Sequence, residues 1–382
     1  MGRDAAYAGP ARADAEVDAA RELAALVLDA GTSDARDHKQ FIWSEPSSEI
    51  PGHVIVAASA SGQVLAVVRL VPRALRASGD VLKVAGISSV CVAESARQQG
   101  LARLIMNEAV RQAHTLGYDV TMLFARRAVD HFYPRFDIWG LASYTQVKLV
   151  DMPVPSGGDA DIRLRSLADA DVPLAACWHR TAYAGCAGAF ERSVERWRFL
   201  LQGAARRDIT FSVAESRATA VGYVATRSGR VLELGFEAPA HGLAALRALR
   251  ADGEPLILDM PSRHQLLPHI QGGDFSVSSR RCDYGGHMMG VLDRGRACSR
   301  LARRISRRAR ELGLGPREER IDGLILGWDG REGAVRFETP EAQGRLGPQT
   351  TARLVGARLA GAPDTSVLAP TEPLDFLPVD EF

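Results

Sequence analysis

The chain has 382 residues, 46% of them hydrophobic and 24% charged, with a formal net charge of +1. That length allows two or three domains with sizeable cores and excludes a disordered chain. The near-neutral balance excludes a strong global field for nucleic acid. Five cysteines (Cys91, Cys177, Cys186, Cys282 and Cys298), without CxxC spacing, suggest neither a disulfide framework nor a metal site. No apolar run is long enough to span a membrane and none at the start reads as a signal peptide, so a reduced, cytoplasmic setting is expected.

In chain order, "AEVDAARELAALVLDAG" has the apolar spacing of a helix, and "HVIVAAS" and "QVLAVVRLVPRALR" read as strands. "KVAGISSVCVA" is a further strand, Arg97 to Leu116 a helix and "DVTMLFA" a strand, so this first block is α/β. Residues Met152 to Ile162, rich in Pro, Gly and Asp, read as a linker. A second block repeats the order strand, loop, helix, strand in "VLELGFE", "APAHGLAALRALRADG" and "EPLILDMP". A third opens near Gly286 with an arginine-rich helix, the strand-like "IDGLILGWDG" and "GAVRFETP", and a short helix in "PQTTARLVGARLAG". Domains are therefore expected over 1–155, 156–285 and 286–382.

The stretch "SSVCVAESARQQGLARLIMNEAV" carries the most chemistry. A strand ending in Val90, Cys91 and Val92 enters a polar loop and then a helix, and the loop holds Arg97, Gln98, Gln99, Gly100, Leu101 and Ala102 as R-x-x-G-x-A. A helix start offers free N–H groups and the positive dipole end, which suits a pyrophosphate. Gly100 allows close backbone approach, Ala102 keeps the surface low, and Arg97 or Arg103 adds charge.

V-x-V followed at this spacing by R-x-x-G-x-A resembles the acetyl-CoA motif of the GCN5-related N-acetyltransferases (GNAT). The resemblance implies that Val90, Cys91 and Val92 contact pantetheine and that Gln98 to Arg103 contact the pyrophosphate of acetyl-CoA. Downstream, "HFYPRFDIWG" is similar to the Y-x-R-F-G-Y stretch of the Eis-like (enhanced intracellular survival) group. That group implies two acetyltransferase-like domains in tandem, the second degenerate, then a small sterol-carrier-like α+β domain. It implies Tyr133 as general acid and the α-carboxylate of the last residue, Phe382, as general base, beside Glu381. Docking of the tail "DFLPVDEF" for packing alone is the other reading of that end. Phe41 and Trp43 would wall the acceptor pocket, or simply pack the core; Asp34 would anchor the amine. Asp137 and Ile138 depart from the group's Gly and aromatic, which bears on acyl preference.

The resemblance thus implies transfer of an acetyl group to a primary amine of a small molecule, such as an aminoglycoside or other amino-bearing natural product. It also implies a trimer-based homo-hexamer, with no metal, nucleic acid or membrane as partner and no cofactor in the second domain. His131, two residues before Tyr133, is a candidate to support it from behind; His114 and His287 read as packing. Eight arginines from Arg294 to Arg310, with an apolar stripe of Leu301, Ile305 and Leu312, read as a helix packed on one face and solvated on the other. Other readings are another acyl donor or acceptor in natural-product tailoring, a nucleic-acid-binding protein, and a non-catalytic binding or assembly protein.

Overall fold

The computed structural model describes residues 5–28, 41–45, 50–77, 80–140, 142–151, 162–186, 188–250, 254–261, 263–270, 272–282, 286–321, 324–331, 335–339 and 342–343. Asp34, Glu381, Phe382, the linker and the helix expected in "PQTTARLVGARLAG" lie outside them.

The chain opens with β1 (Ala5–Pro10), α1 (Asp14–Leu28), β2 (Val54–Ser59), β3 (Val64–Ala77) and β4 (Asp80–Val92). Next come α2 (Leu101–Thr115), β5 (Val120–Ala125) and the short β6 (Trp139–Gly140). Then follow β7 (Ala142–Leu149), β8 (Ile162–Ser166), α3 (Val172–Ala182), β9 (Phe190–Glu191) and α4 (Val194–Gln202). The next stretch is β10 (Thr210–Ser216), β11 (Thr219–Arg227), β12 (Arg230–Phe236), α5 (Pro239–Leu249), β13 (Leu256–Asp259) and β14 (Phe275–Cys282). The described part ends with β15 (Gly286–Val291), α6 (Arg294–Glu311) and β16 to β19 (Arg317–Ile321, Leu324–Trp328, Val335–Thr339, Ala342–Gln343).

Two compact units result, dividing at 142/143 and again at 280/281. The first holds a sheet in the order β1-β2-β3-β4-β5-β15-β6, in which β4 and β5 run parallel and the other neighbours antiparallel. α2 buries Leu101, Ile105, Met106, Ala109 and Ala113 on one face, the i, i+4, i+8 stripe its sequence sets. These pack on Ile55, Val68, Leu70, Ala85 and Ile87 of the strands. On the other face α1 covers Val54, Val56, Val67 and Cys91 with Ala20, Ala24 and Trp43.

The expected limits at 155 and 286 differ from this division. β7 pairs with β13 in the second sheet, although it directly follows β6 of the first. Gly286–Val291 pairs along all of β5, closing an edge that would otherwise stay open. Strand partners so far away in sequence leave no trace in local pattern. Gly290 permits the fit, since a Cβ there would lie 2.9 Å from Ile138 Cγ1 and from Thr121 Oγ1 and 3.0 Å from Asp137 O.

The second unit carries the sheet β14-β7-β13-β12-β11-β10-β8. Its β12–α5–β13 segment repeats the β4–α2–β5 order, and β12 and β13 are again parallel. Beyond β15 the first unit adds α6, which buries Ala302, Ile305, Ser306 and Ala309, and a second, antiparallel sheet β16-β17-β18-β19. No described helix is long and apolar enough to cross a membrane.

Candidate acyl-transfer site

β4 and β5 begin as neighbours and then part. Their register runs Val84↔Val120, Ala85↔Thr121 and Gly86↔Met122 and stops there, while β5 continues against β15 to Ala125. Among the described residues, Ile87 to Val92 therefore have no strand on the β5 side. On the β3 side the register passes from Arg69↔Ser88 to Val67↔Cys91, which leaves one extra residue on β4, a β-bulge. Ser89 sits in it with φ 54°, in the left-handed region. Ala93 N donates to Leu65 O at 2.8 Å, so Cys91 and Ala93 direct their main-chain groups to β3. By the alternation of an antiparallel pair, those of Val92 and Val90 turn to the open side. That open edge can hydrogen-bond an extended amide-bearing ligand in place of a strand.

The edge runs into the helix start. Gly100 is the N-cap of α2 with φ 80° and ψ 4°, and Gln98, before it, has φ 63°. No side chain caps the helix and no acidic residue lies in its first turn. The N–H groups of Leu101, Ala102 and Arg103 are thus left for an anion. A Cβ on Gly100 would meet nothing within 4 Å, so glycine is there for its backbone angle and not for space. Arg97 and Arg103 are exposed, and Arg97 lies 3.9 Å from Glu94. Strand edge and helix start together offer main-chain groups to an extended amide-bearing ligand that ends in an anion. Cys91, by contrast, turns its side chain into the α1 side of the core, and burial pushes its thiol up to about 12. It is no nucleophile at neutral pH.

Tyr133 lies in the turn Asp130–Phe136 and is 9% exposed, within the core cluster on which Val90 and Val92 also pack. Its ring meets Phe132 edge-on at 5.4 Å, and its hydroxyl has no hydrogen-bond partner among the described residues. Burial raises its pKa, which keeps the proton on oxygen. Asp137, where the resembling group has glycine, takes the left-handed conformation with φ 59° and ψ 28° at the end of that turn. Aspartate tolerates this better than most residues, so the turn survives the substitution.

Of the expected acceptor residues, Phe41 is half-buried in a helical turn with Trp43, and Asp34 and Glu381 lie outside the described residues. Trp43 is only 2% exposed; its indole N–H donates to Ser89 Oγ at 3.1 Å. Arg69, 1% exposed, stacks over that indole at 5.3 Å and donates from Nη1 to Ile42 O at 2.8 Å. Burial lowers its pKa to about 10, against the opposing pull of Glu45. Arg73 and Glu45 form a two-pronged pair, Nη1 to Oε1 at 2.7 Å and Nη2 to Oε2 at 3.0 Å. Sequence reading missed Ser89, Arg69 and Arg73. An arginine on alternate positions of an apolar strand was the available signal.

The second unit has a matching divergence with a different filling. β12 pairs with β13 only at Arg230↔Ile257 and Val231↔Leu258. Beyond it, Leu234 N donates to Tyr183 Oη at 3.2 Å, and Leu234 O accepts from His264 Nε2 at 3.3 Å. Leu266 N donates to His264 Nδ1 at 3.2 Å, which places the ring proton on Nε2. Tyr183 and His264 are both 1% exposed, and burial depresses the His264 pKa to about 4. The start of α5 carries Pro239, which has no N–H to offer an anion.

Residues 11–142 match the family model described as "Acetyltransferase (GNAT) domain". A comparison with curated proteins finds no match. Among solved structures, the chain is similar to a GCN5-related N-acetyltransferase from Anabaena variabilis, at 12% identity and TM-score 0.64, covering 98% of this chain and 100% of that one. Eis1 from Mycobacterium abscessus follows with 14% identity, TM-score 0.63 and the same coverage. A GCN5-related N-acetyltransferase from Kribbella flavida has 16% identity and TM-score 0.62, again over 98% and 100% of the two chains. At such identities these likenesses establish the fold.

Proposed function

We propose that this chain, which carries a GNAT acetyltransferase domain over residues 11–142 within an Eis-like fold, transfers an acetyl group from acetyl-CoA to a primary amine of a small molecule. The observation that carries the reading is the edge Ile87–Val92, without a strand on the β5 side among the described residues, leading straight into an uncapped, glycine-started helix. In this reading Val90 and Val92 bind the pantetheine amides, and the N–H groups of Leu101 to Arg103 hold the pyrophosphate, with Gln98, Gln99, Arg97 and Arg103 around it.

The amine must be neutral to attack the thioester, and freeing an alkyl ammonium of pKa near 10 at neutral pH costs roughly 4–5 kcal/mol. Its nitrogen bonds to the acyl carbon, the C–S bond breaks, and coenzyme A leaves as a thiolate that needs a proton. Tyr133 supplies that proton; its raised pKa keeps it loaded throughout the working range. The amine's proton goes to a general base, for which the resemblance to the Eis-like group puts forward the α-carboxylate of Phe382. An aminoglycoside-like acceptor, a trimer-based hexamer, and a sterol-carrier-like fold for the domain over 286–382 complete the proposal.

Thiol release from acetyl-CoA across a library of amines tests it. Turnover with some primary amine is expected, and a tag fused after Phe382 should abolish turnover while acetyl-CoA still binds. Absence of thiol release with every amine, despite acetyl-CoA binding, would refute transfer. Full activity of the tagged protein would move the base elsewhere.

A further inference from the structure

Trp43 sits where an acceptor wall was expected, yet its ring is 2% exposed. It has almost no surface to give a ligand. Its one polar group is spent on Ser89 Oγ, at 3.1 Å. Ser89 is the bulged residue of β4 and holds φ 54°, a conformation that an L-residue disfavours by roughly a factor of ten in population. The bulge immediately precedes Val90 and Val92, whose main-chain groups turn to the open edge only because the register shifts there.

The segment that carries Trp43 is itself clamped from β3. Arg69 Nη1 holds Ile42 O at 2.8 Å and its guanidinium covers the indole. Arg73 grips Glu45 with two contacts, and both side chains are 7% exposed. Arg69 and Arg73 stand four residues apart on β3 and point to the same face, as does Ser88 opposite Arg69. Buried charges are costly unless paired and hydrogen-bonded, as these are through Glu45 and Ile42 O. What they fix is the height of the indole above the bulge.

We propose that Trp43 is a positioning residue for the acyl donor: its indole N–H holds Ser89 in the left-handed bulge that opens the Val90–Val92 edge, and Arg69 and Arg73 hold Trp43 in place. This rests on the acyl-transfer reading and assigns the Phe41–Glu45 segment to the donor side of the reaction as well as the acceptor side. The bulge is competent only while Ser89 stays left-handed, so apparent affinity falls with the fraction that does.

The test uses CoA binding by calorimetry on the full chain. Trp43→Phe keeps the ring and removes the N–H, and CoA should bind about tenfold more weakly, the factor set by the left-handed penalty. Adding Ser89→Gly should bring affinity back to within about twofold of wild type, because glycine takes a positive φ without support. Simple core packing by Trp43 predicts no rescue from a change at 89. Wild-type affinity in Trp43→Phe, or a loss that glycine does not repair, overturns the inference. Should Trp43→Phe fail to fold, Ser89→Ala and Ser89→Gly are compared beside the native Trp43. Weak binding by the alanine variant alone supports the role, and equal binding by both overturns it. Wild-type protein that fails to bind CoA removes the acyl-transfer reading and the inference with it, a result distinct from intact wild-type binding with an unrescued variant.

Discussion

Gly100→Ala isolates the contribution of one backbone angle. Gly100 has φ 80°, and an added Cβ would meet nothing within 4 Å. There is no clash to relieve, so the whole penalty is conformational, roughly 1–2 kcal/mol for an L-residue in the left-handed region. The protein can meet it in two ways. It can keep the turn and lose that much stability, which for a unit of this size lowers the melting temperature by about 2–8 °C. Or it can rotate Gly100 out of the left-handed region, which re-aims the N–H groups of Leu101 to Arg103 and weakens CoA binding by about fivefold to thirtyfold, the same energy read as affinity. Asparagine tolerates the left-handed region better than alanine, so Gly100→Asn should fall between the two. Thermal unfolding and CoA calorimetry on the three proteins separate the routes. Alanine with unchanged stability and unchanged CoA affinity, or asparagine worse than alanine, would refute the assignment of this turn as the pyrophosphate cradle held by its backbone.

Tyr133→Phe should lower kcat by about 10²-fold or more with CoA affinity kept, since general acids contribute about 10²–10⁴. In the wild type, activity should fall as pH rises through the raised tyrosine pKa above 10, and an unchanged kcat in the phenylalanine variant would place the acid elsewhere. His264, with a folded pKa near 4 against an ordinary value of 6.5, is buried neutral. The unfolded chain then binds the extra proton, so stability is full above pH 6.5 and falls as pH drops towards 4, by about 1.4 kcal/mol per unit. His264→Gln keeps a donor and an acceptor but does not titrate, and its acid unfolding curve should be flatter over that window; an identical curve would assign the acid sensitivity to other groups. Glu233 accepts from both Arg192 Nη1 (2.8 Å) and Nη2 (2.7 Å), with exposures of 0% and 1% for the two side chains. Glu233→Gln, by breaking that pair, should cost about 3–5 kcal/mol in urea unfolding of the second unit, and a loss below 1 kcal/mol would show that the pair is dispensable.

The strongly patterned elements were legible in the sequence. α1, β2 to β5 and α2 appear where apolar periodicity placed them, as does the β12–α5–β13 repeat. The R-x-x-G-x-A loop was legible because a helix start and a glycine are local features, and φ 80° at Gly100 is what such a loop requires. The exchange of partners around residue 142 was not legible. Neither β7 nor β15 was expected as a strand, and which sheet each joins is decided by an edge built from residues more than a hundred positions away. Ser89 was hidden for a related reason. A serine beside a serine in a β-rich run gives no sign of a bulge, which exists only relative to the register of β3. Asp137 was read as a departure, yet its left-handed angle keeps the backbone path that glycine would take.

The two parallel divergences set out the physical condition for a ligand site of this kind. A strand whose neighbour veers away leaves N–H and C=O groups that must find partners. In the second unit Leu234 finds them in Tyr183 and His264, both supplied by the chain, and the adjoining helix begins at a proline. Opening that cleft to a ligand would strip two buried hydrogen bonds and gain no anion site, so nothing there favours occupancy. In the first unit the corresponding edge at Val90 and Val92 has no strand partner on the β5 side among the described residues, and the adjoining helix begins with a left-handed glycine and no side-chain cap. The same local geometry is therefore closed by side chains in the second unit and, among the described residues, left open in the first, and the difference rests on a few side chains. If that is right, CoA should bind with one site per chain, and removing both caps by Tyr183→Phe and His264→Ala should lower stability without adding a second site. A second binding event in that variant would show that the caps alone, and not the missing helix-start anion site, keep the second cleft closed.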